Sequence, residues 1–467
     1  MFIREFSKEN TLRVKAKIEQ VLWEIGLRVE MAEVRDLCAA AGAEVRGDRV
    51  HFSPEVLNRL LALAPKSYEI RSPYGKSWTI GDGNQHMAGI VIDPWINDPA
   101  TGARRPCMDD LLTNMALMDY YKEIVMVSRM YFPVTDYEGD ISSYKALEQF
   151  FLNIDKHISA YCTSLESLQE YFEVGQVLLG DQPLKDSKLM TVAVATLSPL
   201  AVTDINCRLM LEAAKYNLPI VPTTCPMAGT TAPYSMIGIF IQGMAEALGL
   251  CAILQAVNPG NPYLMSFGPS VASLLDGHDM YYTMDKPVWK LAAAEITACY
   301  EIPFIAECGG NTPANFDMQS GAESMMQMLS GVGCGADVIA GVGSCYNANG
   351  LSAENIVIGM GLKHASDFMT RGMRLDQLDE SYESLERQKD SGYFLMDDLT
   401  MDNMRSDEFF SDKTMNMAGE FKEAPSMLER AQKTIAKVKA AYESPVPAEA
   451  QERIKAYFAE KIYPRFS

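Results

Sequence analysis

Seven apolar runs recur along the middle of this chain, and their spacing constrains the fold more than any other feature. They are IVMVSRMYF (124–132), HISAYCTS (157–164), LMTVAVATLS (189–198), LPIVPTTC (218–225), PYLMSFGPS (262–270), IPFIAECGG (302–310) and DVIAGVGS (337–344). Start-to-start spacings are 33, 32, 29, 44, 40 and 35 residues. Helix-patterned stretches such as SLQEYFEVGQVLL and GAESMMQMLSGV lie between them. Near-continuous apolar strands alternating with helices indicate a parallel sheet covered on both faces. An eighth unit fits either NIVIGMGL or HMAGIVID. Seven or eight such units predict an α/β fold, a TIM (β/α)8 barrel, with an open doubly wound sheet as the alternative. No GxGxxG or GxxxxGK[ST] loop follows a strand, so neither phosphate-binding fingerprint is available.

The flanks read differently. Residues 1–120 form an expected accessory region: a helical face at Ile18, Val21, Leu22 and Ile25, a second helix over 31–41, short strands, and Asp109 or Asp110 as an N-cap. The barrel core is expected over 121–375. A helical extension over 376–467 is expected to pack on it, closing with SMLERAQKTIAKVKAAYES and AEAQERIKAYFAEKI.

A net charge of −20 argues against nucleic acid and against an anionic membrane surface. The apolar segment 236–257 is interrupted by Gln242, Glu246 and Gln255, and reads as a buried helix rather than a membrane span. The start of the chain carries no secretory pattern, and ten scattered cysteines without a CxxC suit reduced thiols in a cytoplasmic protein.

In a barrel of this kind the site forms at the C-terminal strand ends. Those ends supply hydroxyls, aromatics and small residues but few bases, and His157 lies at a strand start. A zinc-thiolate site would draw on Cys308, Cys334 and Cys345 with His278 or Glu307, yet spacings of 26 and 11 residues fit no short metal motif. No candidate cysteine has a basic sequence neighbour to activate it. A cation pocket fits better. Trp95, Phe132, Phe267 and Tyr346 offer aromatic faces, and Glu307 offers a compensating charge. Core packing is the competing reading for each ring. Arg129, inside an apolar strand, needs a partner: a structural carboxylate or a substrate carboxylate. Asn311 and Thr230 complete the substrate-binding set, and no residue is assigned acid, base or metal-ligand duty.

Several segments together resemble the trimethylamine methyltransferase family, in its branch lacking pyrrolysine. They are DPATGARRPCMDDL (98–111), ATLSPLAVTD (195–204), PMAGTTAPYSMIG (226–238), and later SGYFLMDDLT and APSMLERAQKTI. The resemblance implies a TIM-barrel enzyme that moves a methyl group from a quaternary amine to the Co(I) of a corrinoid carried by a separate protein. Glycine betaine, proline betaine, carnitine and γ-butyrobetaine are the substrates it implies, and a homo-oligomer the assembly. The cobalamin would belong to the partner, with no tightly bound cofactor on this chain. The position equivalent to pyrrolysine is expected near ECGGNTPANF (307–316). A quaternary ammonium leaves as a neutral amine, so such an enzyme needs positioning and desolvation rather than acid–base groups. A substrate carboxylate would be held by Arg129, Lys156, His157 or the Gly309–Gly310 loop. The alternatives are a zinc-dependent methyltransferase acting on an alcohol or thiol, and a non-catalytic betaine-binding protein.

Overall fold

The computed structural model describes residues 3–417 and 424–466. Eight parallel strands form one sheet, and each is followed by a helix: β1 His86–Ile90, α1 Met108–Tyr120, β2 Ile124–Ser128, α2 Ile141–Phe151, β3 His157–Ala160, α3 Leu165–Leu179, β4 Met190–Ala195, α4 Asp204–Lys215, β5 Ile220–Thr223, α5 Met236–Val257, β6 Met265–Ser266, α6 Asp285–Ala298, β7 Phe304–Glu307, α7 Met318–Gly333, β8 Val338–Val342 and α8 Ala353–Arg371. Neighbours follow chain order around the sheet, with β8 pairing β1. The ring closes between β5 and β6, where the Ile220 N–H donates to Pro262 O at 3.0 Å and the Leu264 N–H to Ile220 O at 2.9 Å. This is a TIM barrel.

The eighth unit is HMAGIVID, which makes β1. NIVIGMGL lies inside α8. The barrel therefore begins near residue 86, within the stretch expected to be accessory. β1 opens on His86, carries Gly89 and leads into a turn-rich excursion, so its apolar signal is weak. Gly89 lets the end of the Met118 side chain of α1 lie against the strand, and a Cβ there would make it shift.

Two apolar cores follow from the barrel geometry. The larger lies between sheet and helices. The smaller fills the lumen, with Val125, Ala193, Val221, Leu264, Ile305 and Val338 pointing inward. The hairpin Tyr68–Arg71/Ser77–Ile80 inserts Tyr68, Ile70 and Ile80 into this inner core and stoppers the N-terminal mouth. The lumen is thus open only at the C-terminal strand ends.

Helix α5 is long and apolar enough to cross a membrane, yet it is buried along most of its length within the fold. Its polar interruptions serve internal bonds. The Glu246 carboxylate accepts from Ser198 Oγ at 2.7 Å, the Leu200 N–H at 2.9 Å and Gln242 Nε2 at 3.0 Å, fixing the loop after β4. Gln255 donates to Asn261 O at 2.9 Å. Beyond the barrel, helices Met427–Ala441 and Ala448–Tyr457 pack on α8 and α3.

Candidate active site

At the C-terminal strand ends the lumen opens into a cavity of about 170 Å³. Ile90, Met126, Met130, Val221 and Ile305 give it an apolar wall, and Tyr161 and Tyr281 add aromatic rings. Ser128, Ser159, Thr223 and Ser266 contribute hydroxyls. Among the described residues lining it, Glu307 alone is charged.

Glu307 ends β7 and meets a loop arriving from β6. There the consecutive tyrosines 281 and 282 splay, ring planes 81° apart, so that both hydroxyls donate to one carboxylate. Tyr281 bonds Oε2, and Tyr282 bonds Oε1 at 2.8 Å. Two missing side chains make room for the Tyr282 ring. A methyl at Gly310 would overlap it, and Gly341, at φ 89°, would bring a Cβ within 2.7 Å of its hydroxyl. Asn347, in the loop after β8, fastens the tyrosine pair from behind. Its Oδ1 accepts both the Tyr281 and Tyr282 N–H groups, and its Nδ2 donates to Asp279 O.

A lysine lies behind the tyrosines. Lys286 is fully buried in the first turn of α6, with Nζ 3.7 Å from Glu307 Oε2 and 2.8 Å from the Tyr281 ring centroid. Among the described residues its Nζ has no hydrogen-bond partner. Burial pulls its pKa down to about 7, against the opposing pull of Glu307 and with help from Lys290. The positive end of the α6 dipole acts in the same direction. For Glu307 the balance reverses: burial pushes its carboxyl up, but Lys286, Lys290 and the two hydroxyls outweigh it, holding it below the ordinary carboxylate range. Asp93, just past β1, is driven up to about 7 by burial and then by Glu307. The site thus has one firmly ionised carboxylate, backed by groups that titrate near neutrality.

Of the eight residues expected to bind substrate, Glu307 lies in the cavity wall. The others lie elsewhere. Phe267 points outward and packs edge-on against Phe240 of α5, while its neighbour Ser266 faces the cavity. Arg129 is turned away from the lumen and donates to Phe132 O at 3.2 Å and to Ser143 O. Phe132 lines a separate surface recess with Pro94 and Arg105. Trp95 is half-exposed, its face covered by the Arg105 guanidinium at 3.8 Å. Tyr346 donates to Asn97 Oδ1 at 2.8 Å. Asn311 donates to Ser324 Oγ at 3.0 Å, and Thr230 braces a turn by donating to Met227 O at 3.3 Å. The strand-end reading missed Tyr281, Tyr282 and Lys286, which lie fourteen or more residues past β6. Their signal was DMYYTMDKPVWK, two adjacent tyrosines and two lysines at the entry to a helix.

The quoted motifs prove architectural. In DPATGARRPCMDDL, Asp98 accepts the Ala100 and Thr101 N–H groups, and Arg104 forks onto Asp110 at 2.6 and 2.7 Å. The N-cap of α1 is Cys107, not Asp109 or Asp110. Asp110 reaches back from the third helical position to accept the Cys107 N–H. In PMAGTTAPYSMIG, Ser235 caps α5. Among the described residues no three of His, Cys, Asp and Glu gather as metal ligands, and His278 is paired with Asp276 on an exposed loop.

Residues 2–463 match the profile of trimethylamine methyltransferase (MTTB). The chain belongs to the trimethylamine methyltransferase family. A glycine betaine methyltransferase from Desulfitobacterium hafniense (strain Y51) is 21% identical over 411 residues, 87% of this chain and 85% of that one. A proline betaine:corrinoid methyltransferase from Eubacterium limosum is 23% identical over 331 residues, 67% of this chain and 66% of its own length. Among solved structures, that of the hydroxylamine MtmB complex superposes with a TM-score of 0.51 at 11% identity, covering 82% of this chain and 80% of that one. At such identity it supports the barrel alone. Within the trimethylamine methyltransferase family, then, this member presents a narrow, apolar, singly charged cavity.

Proposed function

We propose that this chain, acting in the cytoplasm, transfers a methyl group from a quaternary ammonium substrate to the Co(I) of a corrinoid carried by a cognate protein. The observation that carries the reading is the ionised Glu307, held by two tyrosine hydroxyls in the wall of an otherwise uncharged cavity. A carboxylate under aromatic rings attracts an ammonium that has no N–H to donate. The printed names of the relatives point the same way.

The residues supply binding, orientation and desolvation. Glu307 draws the cation in, and the Met126, Met130 and Ile305 wall strips its water. A reduced corrinoid on the partner supplies the electron pair that takes the methyl. The C–N bond breaks with its electrons staying on nitrogen, so a neutral tertiary amine departs and no proton is required. The rim suits a docked protein: Leu197, Tyr234, Leu274 and Leu275 are exposed on strand-to-helix loops around this mouth, and Ile237 and Met318 in the first turns of α5 and α7. Further exposed apolar side chains beyond α8, including Met373, Leu375, Leu378, Leu395 and Phe409, support a homo-oligomer.

The test is spectroscopic. The protein is mixed with Co(I)-cobalamin, or a corrinoid protein, and a panel of methylated amines, while conversion of the Co(I) spectrum is followed. Conversion that depends on a quaternary amine is expected. If every quaternary amine fails and a tertiary amine, thiol or alcohol succeeds, the reading is wrong.

A further inference from the structure

We propose that the substrate is a small trimethylalkylammonium whose remaining substituent is uncharged, an alcohol or alkyl group, and not a betaine. This rests on the quaternary-ammonium reading above and narrows it.

Three observations carry it. First, no cationic side chain among the described residues lines the cavity to receive a carboxylate. The groups that would do so lie outside its lining. Arg129 donates to the Phe132 and Ser143 carbonyls outside the lumen. Lys156 Nζ donates to Tyr121 O at 3.2 Å. His157 is fully buried at the start of β3, between Arg71 O at 3.2 Å and Thr191 Oγ1 at 2.8 Å. The Gly309 N–H is used by Ala340 O at 2.9 Å. Lys286 is screened from the cavity by the Tyr281 ring on which its Nζ rests.

Second, the one charge that faces the cavity is acidic: Glu307 lines it, while Lys286 lies behind the Tyr281 ring, so a substrate carboxylate would meet like charge at the wall. The uncharged lining is instead rich in hydroxyls, Ser128, Ser159, Thr223 and Ser266, which suit an alcohol.

Third, the space is small. A cavity of roughly 150 Å³ takes a benzene-sized ligand. One of about 170 Å³ therefore holds a compact trimethylammonium head with a short tail.

Isothermal titration calorimetry on the full chain decides the matter, using choline, tetramethylammonium, glycine betaine, L-carnitine and 3,3-dimethylbutanol, the uncharged carbon analogue of choline. Choline is expected to bind at least tenfold more tightly than glycine betaine or carnitine, and more tightly than dimethylbutanol. A preference over either betaine below tenfold overturns the inference while leaving a quaternary-ammonium site. If no ammonium compound binds better than dimethylbutanol, the quaternary-ammonium reading itself fails. The Glu307→Gln variant, checked by thermal unfolding, is expected to lose the choline preference over dimethylbutanol. An unchanged preference in a folded variant would remove Glu307 from the site. If that variant does not fold, the wild-type comparison alone decides.

Discussion

Replacing Lys286 by methionine isolates the charge that sets the state of Glu307. The wild-type carboxyl is held below its ordinary value because two lysines and two hydroxyls outweigh burial. Its carboxylate is therefore present above the ordinary range and is lost only as pH falls through the lowered pKa. Across that acidic range Lys286, titrating near 7, is fully protonated. At 3.7 Å and an effective dielectric near 20, the pair interacts by about 4 kcal/mol, or about three pKa units. Removing the lysine leaves burial opposed only by Lys290 and the hydroxyls. The acid limb of tetramethylammonium binding should then move upward by about one to three pH units. Above pH 8, where Lys286 is largely neutral, affinity should stay within a few-fold of wild type. Titration calorimetry from pH 4 to 9 measures both, with thermal unfolding at pH 8 as a check on folding. An acid limb that does not move, or moves down, in a folded K286M protein would refute the coupling.

Other outcomes follow from the same geometry. Gly310→Ala places a methyl against the Tyr282 ring, so Tyr282 should leave Glu307 and ammonium affinity should fall tenfold or more by calorimetry. His364, raised to about 9 by its bonds to Asp412 and Glu123, has a folded pKa above its ordinary one. Its contribution is complete below pH 6.5 and lost as pH rises through 9, so hydrogen-exchange protection at 410–417, taken relative to the intrinsic rate at each pH, should fall over that window in wild type but not in His364→Ala. Deleting 376–410 removes much of the exposed apolar surface near the C-terminus, and light scattering should report a smaller assembly.

The barrel was legible because parallel strands buried on both faces read as solid apolar blocks. Seven of the eight are of that kind, and the exception, β1, opens on His86, carries Gly89 and runs into a turn-rich stretch. The site was far less legible, for two physical reasons. Side chains alternate along a strand, so nominating a strand end does not say which residue faces inward. Phe267 and Arg129 point outward, while their neighbours Ser266, Ser128 and Met130 line the cavity. The tyrosines and Lys286, moreover, come from a loop that travels far from β6 before folding back over β7, a path with no local signature. Glu307 was found because a lone acid at an apolar strand end is conspicuous under either parity.

The asparagine that fastens the tyrosine pair has a consequence for how this site can diverge. Asn347 belongs to the loop after β8, yet one of its amides holds three backbone groups of the loop after β6. The two loops are mechanically one piece. Exchange of the β6 loop alone between relatives would strand that amide, whereas a paired exchange of both loops would carry the roof over intact. New substrate preference in this scaffold should therefore be inherited as a two-loop cassette, with the eight strands beneath left unaltered.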